Sequence, residues 1–410
     1  MEQALVGDLD RALTSTAWRR IVPAEQTVAR LKPLLPVFGI TRLANVTGLD
    51  TIGIPVVMCN RPNSRALAVS QGKGVTLAAA KASALMESVE SWHAERVTLP
   101  LKFGAFEDLC YSHHMVDPDK LPRYVDSNWT PYAQTLWVEG RSLAHQRGIW
   151  VPFEMVHTNY TVPLPTGHGG FQASSNGLAS GNHVLEAVIH GLSEVIERDA
   201  LTLWHLKSDE EQEQTRLDLE TVADPICRDL IARFHRAGVE VGVWDITSNI
   251  GVPVFLCRIV QANGDHAATI RPAIGCGASL VREIALARAL TEAAQSRLTF
   301  IAGTRDDIRR EDYERFLSGE EQGRWLARLR DEAPTRDFNA IPNWTGLSLR
   351  QDLDELANRL ARVGIDDVIV VDLSRPEFNI PVVRVIVPGL EGVDHPGYAL
   401  GRRARAAKGI

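Results

Sequence analysis

The chain has 410 residues and carries 44 Lys and Arg against 51 Asp and Glu, a formal net charge of −7. Hydrophobic residues make up 45% and charged residues 23%. This ordinary globular composition excludes long disorder, and the mild acidity gives no electrostatic reason for a nucleic-acid partner. No apolar run approaches the ~18 residues needed to cross a bilayer. The cysteines (Cys59, Cys110, Cys227, Cys257, Cys276) form no CxxC pair. With no secretory leader, they predict reduced thiols in a cytoplasmic protein.

Residues 1–40 are expected to form an amphipathic helical extension that packs through Leu31, Leu34 and Leu35 and is closed by Pro33 and Pro36. From Thr41 the pattern changes to short β-type runs, with no Ser/Gly linker to cut the chain, so 41–392 is expected to be one continuous core. Three strands share an Ile/Val-Pro-Val motif: Gly53-Ile54-Pro55-Val56, Gly251-Val252-Pro253-Val254 and Asn379-Ile380-Pro381-Val382. The second and third also share what precedes them, a helix end, a Gly cap, a strand and an Asp turn, over 236–246 and 362–373. The recurring order predicts a structural repeat.

A second repeat consists of glycine-rich stretches, read as turns, that open Ala- and Leu-rich helices: 70–74 (SQGKG), 179–181 and 275–277. Glu87 and Glu90 lie at the same offsets from Gly74 as Glu194 and Glu197 from Gly181. The third helix carries Glu292 and Gln295, displaced by two residues when counted from Gly277. Thr304–Arg336, within a peripheral excursion over 301–345, interleaves opposite charges as solvated helices do. Residues 393–410 form a tail whose basic run Arg402–Arg405 is expected to fray.

Glutamates at i and i+3 share a helix face. Asn182, Glu186, Glu194 and Glu197 fall on one stripe of the second helix, and Ser83, Glu87 and Glu90 on a comparable stripe of the first. Set among apolar neighbours, with no Lys or Arg at i±4 of Glu87, Glu90 or Glu197, such carboxylates repel unless a cation joins them. Oxygen-only ligands favour Mg²⁺, which commonly bridges to phosphates. The plainer reading is a solvated acidic stripe. The Gly turns, with Ser70 and Lys73 in the first, are candidate phosphate contacts, although SQGKG lacks Walker A spacing. Arg198 and Arg297 could offset charge on a transferred phosphoryl group, or serve as structural ion pairs. His113, His114, His157 and His168 lack metal-ligand spacing. Cys276, beside the site, is a weaker candidate for handling sulfur.

The segments 70–90, 176–199, 286–297 and 378–392 together resemble the YcaO family, and 41–57 with 61–74 resemble its TfuA-associated branch. The resemblance implies an α+β fold of repeated strand pairs and helices, with an ATP/Mg²⁺ site between Glu-bearing helices. It assigns Glu87, Glu90, Glu194 and Glu197 to the metal ions. Ser83, Asn182, Glu186, Arg198, Gln295 and Arg297 are assigned to the nucleotide. The implied chemistry is ATP-dependent phosphorylation of a peptide backbone amide oxygen, then attack by a nucleophile. The TfuA branch implies sulfur attack to give a thioamide, with a TfuA-like partner and a homodimer. Azoline or amidine formation, a non-catalytic docking homologue and a small-molecule phosphotransferase are the alternatives. The proline-rich C-terminal tail common in azoline-forming members is absent from the ending AKGI, and no leader-binding domain is recognisable before Thr41.

Overall fold

The computed structural model describes residues 19–262, 271–314, 319–331, 333–392 and 397–410. Its framework is one unit used three times, a three-stranded antiparallel sheet followed by a long helix. In the first, β1 (Arg42–Asn45), β2 (Val56–Asn60) and β3 (Val69–Lys73) lead into α2 (Leu77–Ala94), after the short N-terminal helix α1 (Ala24–Leu31).

Three further strands follow, β4 (Leu101–Ala105), β5 (Gln134–Ser142) and β6 (Gly148–Pro152), and then β7 (Leu178–Ser180) leading into α3 (Val184–His205). The next complete unit is preceded by α4 (Pro225–Arg236). It consists of β8 (Val239–Asp245), β9 (Val254–Gln261), β10 (Ala273–Ala278) and α5 (Arg282–Ala302). After α6 (Glu320–Asp331) and α7 (Leu349–Arg362), β11 (Ile369–Asp372) and β12 (Val382–Ile386) return to pair beside β7. The unit that carries α3 is therefore assembled from two distant parts of the chain. It forms part of a six-stranded sheet, ordered β4-β5-β11-β12-β7 with β6 on β5.

The two repeats seen in the sequence are thus halves of one unit. The Pro-Val strand is central in each sheet, and the glycine-rich stretch is the strand beside it. One backbone hydrogen bond recurs in all three: Gly74, Gly181 and Ser279 donate N–H to the carbonyls of Pro55, Pro381 and Pro253, at 3.3, 3.2 and 3.2 Å. Ser279, not Gly277, is therefore the counterpart of Gly74 and Gly181. Counted from it, Glu292 stands thirteen residues on, as Glu87 and Glu194 do in their units, and the displacement expected for the third helix disappears.

Gly72, Gly275 and Gly277 lie within β3 and β10, and Gly74 directly follows β3, rather than forming turns that cradle phosphate. They are needed because the helices press on the strands. A Cβ at Gly72 would come within 2.1 Å of the Ala80 carbonyl oxygen and the Ala84 nitrogen, and one at Gly277 within 2.2 Å of the Ala285 carbonyl oxygen. Ala80, Ala84, Ala285 and Ala289 supply the matching small surface and are fully buried.

Helices α4 and α7 bury Leu230 and Phe234, and Leu356 and Leu360, on their apolar faces. They are capped by Asp224 and Ser348 side chains at their starts and followed by left-handed Gly238 and Gly364. The extension expected over 1–40 is described from Arg19 onward. Leu31 is buried, and Leu34 and Leu35 pack against the cluster around Phe38 and Trp92. The excursion after α5 is anchored at α6, where Leu329 is buried and its carbonyl and that of Arg328 accept from the Arg216 guanidinium.

The C-terminal tail does not fray. It forms the helix α8 (Arg402–Lys408), capped by the buried Glu391 carboxylate, which accepts from Gly401 N and Ala404 N at 2.8 Å. Arg403 closes a bidentate pair with the fully buried Asp199 at 2.9 and 3.0 Å. The tail is thereby tied to α3, next to Arg198.

A substitution tests the pressed contact. Gly72→Val should cost about 1–3 kcal/mol, read as a lower Tm, because backbone rather than a flexible side chain stands in the way. An unchanged Tm would show that α2 can move off β3.

Candidate functional site

Each long helix leans on its own third strand and on the third strand of the next unit: α2 on β7, α3 on β10 and α5 on β3. This cyclic packing turns the glutamate faces of all three toward one cleft. Glu87 keeps a face open to water, Glu90, Glu194 and Glu292 are half-buried, and Glu197 is buried. Glu90 accepts from both Ser180 N, at 2.8 Å, and Ser180 Oγ, at 2.6 Å, across the first seam. Glu292 accepts from Cys276 N at 3.2 Å and is paired with the Lys73 ammonium group across another.

Crowding withdraws these groups from water. Burial, reinforced by Glu87 and Glu194, pushes Glu90 up to about 8. Loss of hydration and the nearby Glu194 push Glu87 up to about 7, against the pull of Lys73. Burial and Glu292 push Glu197 up to about 7, and burial raises Glu194. Glu292 moves the other way: Lys73 and Arg198 overcome its burial and hold it below the usual range. The Arg198 guanidinium, lowered by burial alone, is raised overall by Glu197, Glu194 and Glu292, and its Nη2 stands 4.0 Å from Glu194.

The site residues read from the sequence fall into groups. Glu87, Glu90, Glu194, Glu197 and Arg198 face the cleft together, and Ser83 lies one turn before Glu87 on α2. Lys73 reaches the cleft from the end of β3. Ser70 is buried within that strand, paired in register with Cys59. Gln295, the counterpart of Glu90 and Glu197, donates to the Gln71 carbonyl at 3.0 Å. Arg297 is engaged elsewhere, in a buried bidentate pair with Asp50 at 2.8 and 3.2 Å and a bond to Gln261 at 2.8 Å. It is a structural ion pair, not a group turned to the phosphates.

Asn182 and Glu186 hold the N-terminal segment. Glu186 accepts from Ile21 N at 2.6 Å and Asn182 N at 2.8 Å. Asn182 Oδ1 accepts from Thr27 Oγ1 at 3.1 Å and the Arg30 guanidinium at 3.0 Å. Sequence reading missed this second set, Arg20, Thr27, Arg30, His190 and Arg288. Arg20 lies 3.8 Å from Glu186 and close to Arg288 and Glu90. Arg288 donates to His190 at 3.0 Å, and burial with the surrounding cations holds that imidazole well below its usual pKa. Cations are therefore interleaved with the carboxylates of the cleft. Burial first, and then Glu197 and Glu292, push the Cys276 thiol far up, which disfavours the thiolate that a sulfur nucleophile needs.

Among the described residues no three His, Cys, Asp or Glu side chains close into a metal cage. That spacing fits Mg²⁺, which is commonly held by one or two carboxylates and completed by phosphate oxygens and water. The all-oxygen donor set and the raised carboxyl groups fit a cation as the missing partner. Arg198 Nε and Gln295 Oε1, buried without protein partners, are free to meet a polar ligand.

The chain matches the family model described as YcaO cyclodehydratase, ATP- and Mg²⁺-binding, over residues 71–391. It is 37% identical to an uncharacterized protein of Rhizobium leguminosarum bv. trifolii from the region 3′ of tfuA, over 98% of this chain and 96% of that one. A YcaO from Methanopyrus kandleri, solved with AMPPCP and Mg²⁺, is 25% identical with a TM-score of 0.72, and the match covers 92% of this chain and 94% of that one. A heterocyclase solved with substrate and cofactor is 22% identical with a TM-score of 0.76, over 93% of this chain but 53% of its own. The chain belongs to the YcaO family of ATP-dependent peptide-modifying enzymes. Its cofactors are ATP and Mg²⁺, and its α+β fold is the one those structures share. No described helix is long and apolar enough to cross a membrane.

The raised carboxyl groups carry a pH signature. Ordinary glutamates titrate near 4.3, so between that value and about 8 the folded apo protein holds protons that the unfolded chain releases. Stability of the apo protein is therefore greatest on the acid side and falls as pH rises through about 7 to 8. Cation binding runs the opposite way and expels those protons. Calorimetry in buffers of different ionisation enthalpy should show proton release at pH 6.5 and Mg²⁺·nucleotide affinity rising toward pH 8. A flat profile would mean that the carboxylates are already ionised.

Proposed function

We propose that the protein uses ATP and Mg²⁺ to phosphorylate the oxygen of a peptide backbone amide, and that a sulfur nucleophile then attacks the activated carbon, expelling phosphate and leaving a thioamide. The observation that carries the first step is the gathering of Glu87, Glu90, Glu194 and Glu197 in one place, with Lys73, Arg20, Arg198 and Arg288 among and around them. An amide oxygen is a weak nucleophile, and the barrier is lowered by holding it in line with the γ-phosphate in a field that stabilises developing charge. The four glutamates would hold Mg²⁺, which when bound neutralises phosphate charge. Ser83, Asn182, Glu186 and Gln295 would position the nucleotide. Arg198, anchored by two carboxylates, would meet the transferring phosphoryl group.

The sulfur outcome is favoured by the relative encoded beside tfuA. A TfuA-like partner is the corresponding donor or delivery protein, and the enzyme would act as a homodimer, with 41–392 as its catalytic core. Azoline formation is the second reading, favoured by the fold shared with a heterocyclase.

Peptides from cells that contain this protein should include one in which sulfur replaces oxygen, seen by mass spectrometry and lost when the gene is deleted. Loss of water instead would support an azoline. Glu90→Gln and Glu194→Gln should each lower turnover on the order of 100-fold. Tm of the apo protein should hold in Glu90→Gln near neutral pH, where that carboxyl is still protonated, and rise above pH 8, where it would carry a repelling charge. Normal turnover in either variant would contradict the metal assignment.

A further inference from the structure

Three equivalent units create three seams where a glutamate helix meets the third strand of the next unit. The strand positions that face these seams are also equivalent, because each directly precedes the residue bonded to the Pro-Val carbonyl: Lys73, Ser180 and Ala278. The seams are not alike in charge. Between α2 and β7, Glu90 meets the neutral Ser180. Between α3 and β10, Glu197 meets the segment of Cys276 and Ala278, with Arg198 alongside. Only between α5 and β3 does the strand supply an ammonium group, and there it holds Glu292 directly. In the same seam a neutral Gln295 replaces the second glutamate, and its amide bonds the Gln71 backbone.

We infer that Lys73 is a built-in cation that takes the place of a divalent ion at the third seam, so that Glu292 is a lysine partner and metal ions are confined to the glutamates of the other two. This rests on the proposal that Glu87, Glu90, Glu194 and Glu197 hold Mg²⁺. Three features support it independently. The Glu292 carboxyl is held by an ammonium group reaching across from the strand of another unit, whereas the Arg198 beside Glu194 belongs to the same helix and stands 4.0 Å away. The loss of the second carboxylate at Gln295 matches a seam that needs to balance a single charge. The ammonium also reaches Glu87 and Glu197 electrostatically, as a central cation would. Because it is covalently tethered, it needs no recruitment from solution and cannot dissociate with product.

The test counts bound Mn²⁺, which suits the same oxygen ligands as Mg²⁺, by electron paramagnetic resonance of the full-length protein with AMPPCP. Lys73→Met removes the charge and keeps the length of the side chain. It should bind one more ion per chain than the wild type, and adding Glu292→Gln to it should abolish that extra ion. Glu292→Gln alone should bind the wild-type number of ions, about tenfold more weakly, since one neutralising charge is lost. An unchanged count in a folded Lys73→Met overturns the inference. Loss of an ion in Glu292→Gln also overturns it, because Glu292 would then be a metal ligand. This second variant decides the matter even if Lys73→Met does not fold. A wild type that binds no Mn²⁺ would overturn the metal assignment itself, and the inference with it.

Discussion

Glutamates that repel one another face a common cleft because the helices carrying them are pinned from behind. Gly72, Gly275 and Gly277 bring α2 and α5 onto their strands at backbone contact, and each helix is also braced by the next unit. No single helix can rotate its carboxylates away without opening a packed seam. Folding energy, drawn from buried Ala, Leu and Val surfaces, is thereby spent on holding like charges together until a cation arrives. The raised glutamate pKa values express that strain in the apo protein, and the affinity of the site for Mg²⁺ and phosphate is its counterpart.

Two of the cations, Arg20 and Arg30, have a different origin. Arg20, Thr27 and Arg30 come from a segment that precedes the repeated units and lies outside residues 71–391, the part matched by the family model. It crosses α3 through Glu186 and Asn182. These are two residues that the resemblance assigns to the nucleotide, so N-terminal docking and nucleotide binding converge on the same side chains. At the other end of the chain, α8 clamps Asp199 on α3. The helix α3 and the residues that lead into it thus receive both the 20–30 segment and α8.

Much of this was legible in the residues. Paired glutamates at equal offsets, helix caps at Gly238 and Gly364, and the Pro-Val strands all depend on local spacing, and local spacing survives in a sequence. The misreadings were also physical. SQGKG has the composition of a phosphate-binding turn, but its glycine is there to admit a helix, and composition does not separate the two needs. Glu292 seemed out of register because Gly277 was used as the reference, whereas the backbone hydrogen bond identifies Ser279, which has no glycine to mark it. Arg297 sits next to the Glu/Gln motif in sequence, yet its direction on α5 takes it to Asp50. The contribution of Arg20 and Arg30 was invisible because contacts across about 150 residues leave no periodic trace.

The divided construction of the unit around α3 has a consequence for biosynthesis. Its helix and third strand are made midway along the chain, but β11 and β12, which complete its sheet, are made near the end. A ribosome-bound intermediate can close the first and second complete units while the helix bearing Glu194 and Glu197 still lacks two strands of support. Pairing over such a separation is slow and comes late. The arrangement leaves α3 without its full sheet until β11 and β12 have been made.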